Sequence, residues 1–114
     1  MQNNRKKGDL AEKRAIDFLI NKDYKIIKTN YQKIYGEIDI IAKKGSYIHF
    51  IEVKYRKNIN KGYPREAVSL KKQEKIKNTA LCYISENNLQ NVDFSFDVIE
   101  IIQNNITYIK DAFY

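Results

Sequence analysis

Residues 36–57, GEIDIIAKKGSYIHFIEVKYRK, leave little choice of local structure. Glu37-Ile38-Asp39-Ile40-Ile41-Ala42 alternates acidic and apolar residues, then turns wholly apolar, and residues 47–56 are rich in aromatic and β-branched side chains. Both read as strands. Lys43-Lys44-Gly45-Ser46 between them reads as a tight turn, with Gly45 supplying the positive φ that such turns need. Two strands joined this closely form an antiparallel hairpin.

Successive side chains on a strand point to opposite faces. Glu37 and Asp39 therefore share one face of the first strand, and Glu52, Lys54 and Arg56 share one face of the second. A two-residue loop at Lys44-Gly45 pairs Lys43 with Ser46, which sets Asp39 opposite Phe50 and Glu37 opposite Glu52. Asp39 and Glu52 then form a diagonal pair about 7–8 Å apart at Cα, with Lys54 just beyond. Ile38, Ile40, Ala42, Ile51, Val53 and Tyr55 take the other face. A slip of one residue would scatter that apolar set, so a loop of even length is expected.

Glu37, Asp39 and Glu52 placed this way repel one another, and Lys54 neutralises only one charge. A divalent cation would resolve the conflict, because hard cations such as Mg²⁺ take oxygen ligands. An exposed Glu52–Lys54 pair, contributing about 0–1 kcal/mol, accounts for the same pattern. Both readings stay open on the residues alone.

Charge narrows the partners. The 114 residues carry a net charge of +7, unevenly spread. Residues 1–77 hold 20 Lys and Arg against 9 Asp and Glu, whereas residues 78–114 hold one lysine against 5 acids. A basic segment followed by an acidic one points to a side that faces a polyanion, although lysine-rich surfaces are often only solubilising. One histidine and one cysteine exclude a multi-histidine site, a cysteine-rich zinc site and a disulfide frame. Cys82 is expected to be a small buried hydrophobe. No long apolar run suggests a membrane span, and the N-terminal stretch lacks the apolar run of a secretory signal. A cytoplasmic protein of bacterial type is expected, as one domain over residues 1–114.

Along the chain, residues 1–7 are expected to fray. Asp9 is placed to cap a helix over residues 10–21, with Glu12 as its capping-box partner. Leu10, Ala11, Ala15, Phe18 and Leu19 form its apolar stripe, and Glu12 lies beside that stripe, within reach of a sheet edge. Residues 23–31 read as a first strand, followed by a bend at 32–36 into the central hairpin. Residues 57–64 are the most loop-like stretch, carrying the only proline and joining Arg56, Lys57 and Lys61 to Arg65. Such a basic loop beside a metal site suits a phosphate backbone, and Tyr63 offers a stacking surface.

A long helix is expected over residues 65–87, buried through Ala67, Val68, Leu70, Ile76, Ala80, Leu81 and Ile84. Its first half gathers Lys71, Lys72, Lys75 and Lys77. Like charges at these spacings cost a few tenths of a kcal/mol, which a bound anion would relieve. Residues 92–102 alternate as a strand. Gln103-Asn104-Asn105-Ile106 fits a second hairpin, residues 106–109 a short last strand, and residues 110–114 close the chain. Asp97 reads as structural. The order α-β-β-β-α-β-β implies an α/β chain with a mixed sheet.

Within that order stand Asp39 and, after twelve intervening residues, Glu52-Val53-Lys54. This resembles the D-x(n)-(E/D)-x-K signature of the restriction-endonuclease-like nuclease superfamily. A closer resemblance is to the YraN-like family of small bacterial proteins, itself similar to archaeal Holliday-junction resolvases. It rests on Gly8, Glu12, Ala15 and Phe18-Leu19; on Gly36-Glu37-Ile38-Asp39; and on Glu52-Val53-Lys54-x-Arg56. It rests further on Lys72-x-x-Lys75, Phe96-Asp97-Val98 and Ile109-Lys110-Asp111-Ala112-Phe113. One departure is Ser95, where the family usually carries arginine.

The resemblance implies a restriction-endonuclease-like core and a metal-dependent endonuclease acting on DNA, with branched DNA a candidate substrate. It implies Asp39, Glu52 and Lys54 as catalytic residues. Mg²⁺ or Mn²⁺ would be held by Asp39, Glu52 and the Val53 carbonyl, with Glu12 as an outer ligand through water and Glu37 as an orienting group. Arg56, Lys57, Lys61, Arg65, Lys72 and Lys75 would contact nucleic acid. A homodimer would serve an enzyme that cuts two strands. The competing expectations are a non-catalytic nucleic-acid-binding module on the same fold and a protein-interaction subunit using the aromatic C-terminal end.

Overall fold

A computed structural model describes residues 2–56 and 68–114, with side chains from Gly8 onward. The elements run α1 (Gln2–Asn21), β1 (Lys25–Lys33), β2 (Gly36–Lys44), β3 (Tyr47–Arg56), α2 (Leu70–Glu86), β4 (Asp93–Ile102) and β5 (Asn105–Phe113). This is the expected α-β-β-β-α-β-β order, and it is consistent with an α/β nuclease-like fold. The sheet has the strand order β1-β2-β3-β4-β5. All neighbours are antiparallel except β3 and β4, which are parallel. A parallel pair needs a crossover, and α2 provides it.

One helix covers each face. Ala11, Ala15 and Leu19 of α1 pack on Ile40, Ala42, Ile51, Ile99 and Ile101. The alanines recur every four residues and let the helix lie close to the strands. On the other face, Ile76, Ala80 and Tyr83 of α2 pack on Ile38, Ile41, Ile48, Phe50, Phe96 and Val98. Gly36 permits the approach of α2 to β2: a Cβ there would stand 3.1 Å from Lys75 Cβ and 3.3 Å from Thr79 Oγ1.

Several boundaries differ from the sequence reading. Helix α1 begins at Gln2, so residues 2–7 of the stretch expected to fray are helical and Asp9 lies inside the helix rather than capping it. Leu10 is 62% exposed and falls off the buried stripe. Helix α2 begins at Leu70, after Ser69, whose hydroxyl accepts from the Lys72 amide. Residues 65–67 of the expected helix lie outside the described residues. Val68 is buried ahead of the helix, while Leu70 and Leu81, expected inside, are 82% and 60% exposed. Cys82 is half-buried rather than enclosed. The last strand extends to Phe113, which is buried against the α2-side core.

The hairpin register is displaced by two residues from the expected one. Lys44 pairs with Tyr47 and Ile40 with Ile51, so the loop is Gly45-Ser46, with Gly45 at φ +61°. A shift of two keeps each side chain on its face. It also carries Asp39 from a diagonal position to one level with Glu52.

Candidate functional site

The recorded β2–β3 pairing stops at Ile40–Ile51, one residue short of Asp39 and Glu52. Alternation also fails there. Ile38 packs on the α2 side and Ile40 on the α1 side, although a regular strand would put both on one face. Across β1, Asn30 has φ +51°, a left-handed backbone inside a strand. The sheet is thus irregular at Asp39, and the carboxylate takes over a backbone role: its Oδ2 accepts the Val53 amide at 2.8 Å.

Asp39 is thereby brought against Glu52. Burial first, then the adjacent Glu52 carboxylate, pushes the Asp39 carboxyl up to about 8, against the pull of the Val53 amide and of Lys72. Glu52 is 4% exposed. Its Oε2 receives Lys72 from α2 in a close ion pair, and Lys54 Nζ stands 3.6 Å away. Burial, then the neighbouring Lys72 ammonium, lowers the Lys54 pKa, with Glu52 opposing. Burial alone would lower Lys72 as well, but its hydrogen bond to Glu52 prevails and raises it. Asp39, Glu52, Lys54 and Lys72 therefore form one half-enclosed cluster of two acids and two ammonium groups.

Glu12 and Glu37 lie across a cleft of about 280 Å³ that Asp39, Val53, Asn30 and Tyr55 also line. Glu12 Oε1 accepts from Asn30 Nδ2 at 2.9 Å. Burial raises the Glu12 pKa, the Asn30 bond opposes, and the charges of Glu37 and Asp9 add to the rise. Glu12 and Asp39 thus share a cleft, but Glu12 is tied to β1 and not to the acid pair.

The basic residues separate. Lys72 joins the acid cluster itself. Lys75 is exposed one turn along α2. Arg56 is drawn to the largely buried Glu100, with only 11% of its side chain exposed. The sequence reading missed this protein partner; the signal available was Glu100, level with Lys54 on the neighbouring strand. Lys57, Lys61, Tyr63 and Arg65 lie outside the described residues.

As to a metal, a buried carboxylate adjoining a half-buried one is a donor set that suits a hard cation. Among the described residues, however, no group of three or more His, Cys, Asp or Glu side chains is arranged to hold an ion. A site here would need backbone or water oxygens to complete it. Among the same residues no helix is long and apolar enough to cross a membrane.

A model described as "Uncharacterised protein family UPF0102" matches residues 11–101. A UPF0102 protein of Clostridioides difficile (strain 630) is 50% identical over 113 residues, covering 97% of this chain and 99% of the relative. One from Sulfurihydrogenibium sp. (strain YO3AOP1) is 45% identical over 107 residues, 94% of this chain and 93% of the relative. One from Clostridium acetobutylicum (strain ATCC 824) is 43% identical over 116 residues, 96% of this chain and 95% of the relative.

Proposed function

The chain belongs to the family UPF0102, the YraN family that its motifs resemble, and from that premise we propose that it is a metal-dependent endonuclease-like protein acting on DNA. The observation that carries the reading is the Asp39–Glu52 pair: a half-buried carboxylate beside a buried one, with Lys54 3.6 Å from Glu52. Such a pair is costly unless a proton or a cation sits with it.

Asp39 and Glu52 would hold Mg²⁺ or Mn²⁺, with the Val53 carbonyl as a third oxygen and Glu12 across the cleft. When bound, the cation supplies polarisation of a phosphate oxygen. Lys54 would orient the attacking water and offset charge developing on phosphorus. Lys72 would release Glu52 and turn to a phosphate, beside Lys75. Glu37 would keep water ordered in the cleft. Lys57, Lys61 and Arg65, with Arg56 where its pairing to Glu100 allows, would contact the backbone of the nucleic acid. A homodimer suits the cutting of both strands.

The test is cleavage of branched, nicked and linear DNA with Mg²⁺ or Mn²⁺. Asp39→Ala and Glu52→Ala are each expected to lose activity about a hundredfold or more. Undiminished cleavage by either variant would end the reading.

One observation favours a second reading, a non-catalytic nucleic-acid-binding module. Lys72 gives Glu52 a counter-charge from the protein itself. That reading requires salt-dependent binding with no cleavage under any metal. Lys72→Ala and Lys75→Ala would then weaken binding, and Asp39→Ala would leave it intact or tighten it.

A further inference from the structure

Two stretches singled out in the sequence, Phe96-Asp97-Val98 and residues 109–113, take no part in the Asp39–Glu52 cluster. They meet at His49, which pairs with Ala42 and so faces the α1 side, opposite to Glu52. Asp97 is fully buried. Its Oδ2 meets His49 Nδ1 at 2.7 Å and accepts the Tyr108 hydroxyl, and its Oδ1 accepts the Asp111 amide at 3.0 Å. Burial alone would favour the protonated acid. These donors, with Ser95, outweigh it and hold the Asp97 pKa below its ordinary value. The negative charge of Asp97 is thus spent inside the protein.

The backbone is shaped for this. Asp111 has φ +52°, and β5 is out of register between Phe96 and Val98, which turns its amide toward Asp97. Irregularities of this kind collect at functional sites. Ser95, His49 and Asp97 have the composition of a nucleophilic triad. However, Ser95 Oγ, at 2.9 Å, and Asp97 both reach the same ring nitrogen, Nδ1. No proton can pass through the ring between them, so the group is built to hold rather than to cleave.

With Nδ1 given to Asp97, Nε2 is the remaining polar atom of the ring. His49 lines a cleft of about 270 Å³ with Tyr24, Lys44, Tyr47, Lys110 and Asp111. Lys44 Nζ lies 5.0 Å from the centroid of the Tyr24 ring, and Lys110 Nζ lies 5.9 Å from that of Tyr108. The two tyrosine rings are themselves 5.8 Å apart. Two ammonium groups are therefore set about one opening. Neither is paired with a carboxylate among the described residues. Among the described residues Asp111 is the one acid lining the cleft, and Asp93 stands level with Tyr47 on the neighbouring strand. Tyr47, 41% exposed, holds its ring 5.5 Å from His49.

We propose that this cleft is a phosphate-binding site, in which Lys44 and Lys110 supply the charge and the His49 ring forms part of the lining. The exposed Tyr47 ring offers a surface for the base of a nucleotide. The site stands on the other face of the sheet from Asp39 and Glu52, and it does not depend on the endonuclease reading.

His49 is the only histidine, so its ring signals can be followed in the full chain without ambiguity. Inorganic phosphate, adenosine monophosphate, and a dinucleotide with and without a 5′-phosphate are titrated while these signals are read by NMR. A saturable shift with inorganic phosphate alone assigns the free ion. A shift that is tighter with the mononucleotide or the 5′-phosphorylated dinucleotide assigns a nucleotide source; both support the site. The double variant Lys44→Gln/Lys110→Gln, in exposed side chains, should fold normally and bind at least tenfold more weakly. Lys71→Gln, an exposed side chain on α2, should bind as the parent does. Shifts that fail to saturate with every ligand, or affinity unchanged in the double variant, would overturn the proposal.

Discussion

Asp39 is the residue on which the proposed chemistry turns. Its carboxyl is raised from 3.8 to about 8 by burial and by Glu52. Between those values the folded chain holds a proton that the unfolded chain has released, so this group makes stability fall as pH rises. Without metal, the unfolding midpoint of the parent should drop between pH 5 and 8 more steeply than that of Asp39→Asn. Mn²⁺ should reverse the trend, because it takes the place of that proton; its affinity should gain up to about tenfold per pH unit over the same range. Denaturation profiles with and without Mn²⁺ read both effects. Superimposable profiles for parent and variant would show that Asp39 is not the titrating group. Glu52 and Lys54 were legible as neighbours because strand alternation puts them on one face, whereas Asp39 reaches them where alternation fails, through its bond to the Val53 amide. Lys72 was legible only as a basic residue. Its contact with Glu52 crosses from helix to strand, and no spacing in the sequence encodes that.

At the scale of the elements, helix α2 decides how closed the acid cluster is. It carries Lys72 to Glu52 and rests on β2 where Gly36 leaves room. Gly36→Ala should push the helix outward and cost about 1–3 kcal/mol, read as a lower urea midpoint. An unchanged midpoint would mean that the helix shifts freely. The start of α2 escaped the sequence reading because Arg65-Glu66-Ala67 are good helix formers. Ser69 stops the helix from beginning earlier by binding the Lys72 amide, as N-caps do. Asp9 misled in the opposite sense: it has the chemistry of a cap, yet it stands within a helix that already runs from Gln2. The hairpin was read correctly in the faces of Ile40, Ala42 and Ile51, and wrongly in that of Ile38 and in its register. Parity is set by the buried isoleucines, whereas the choice between Lys44-Gly45 and Gly45-Ser46 as the loop is left to turn geometry alone.

For the molecule as a whole, the element order followed from hydrophobic periodicity, whereas the sequence showed one apolar face of the hairpin and the core covers both. The irregularities that shape both clefts, at Asn30, Asp39 and Asp111, did not, since each breaks the pattern from which strands are recognised. The single parallel seam has a consequence in time as well as in space. Strands β1 to β3 are joined by turns, but His49 meets Ser95 only across 46 positions of chain. Closing so distant a contact is slow compared with zipping a hairpin. In pulsed hydrogen exchange during refolding, amides of β1 and β2 should gain protection before those of β4; simultaneous protection would exclude this order. The meander would then wait, its β3 edge bare, for the second half of the protein to dock. Any condition that delays docking leaves that edge open to a neighbouring molecule, and self-association during refolding should rise with concentration for that reason.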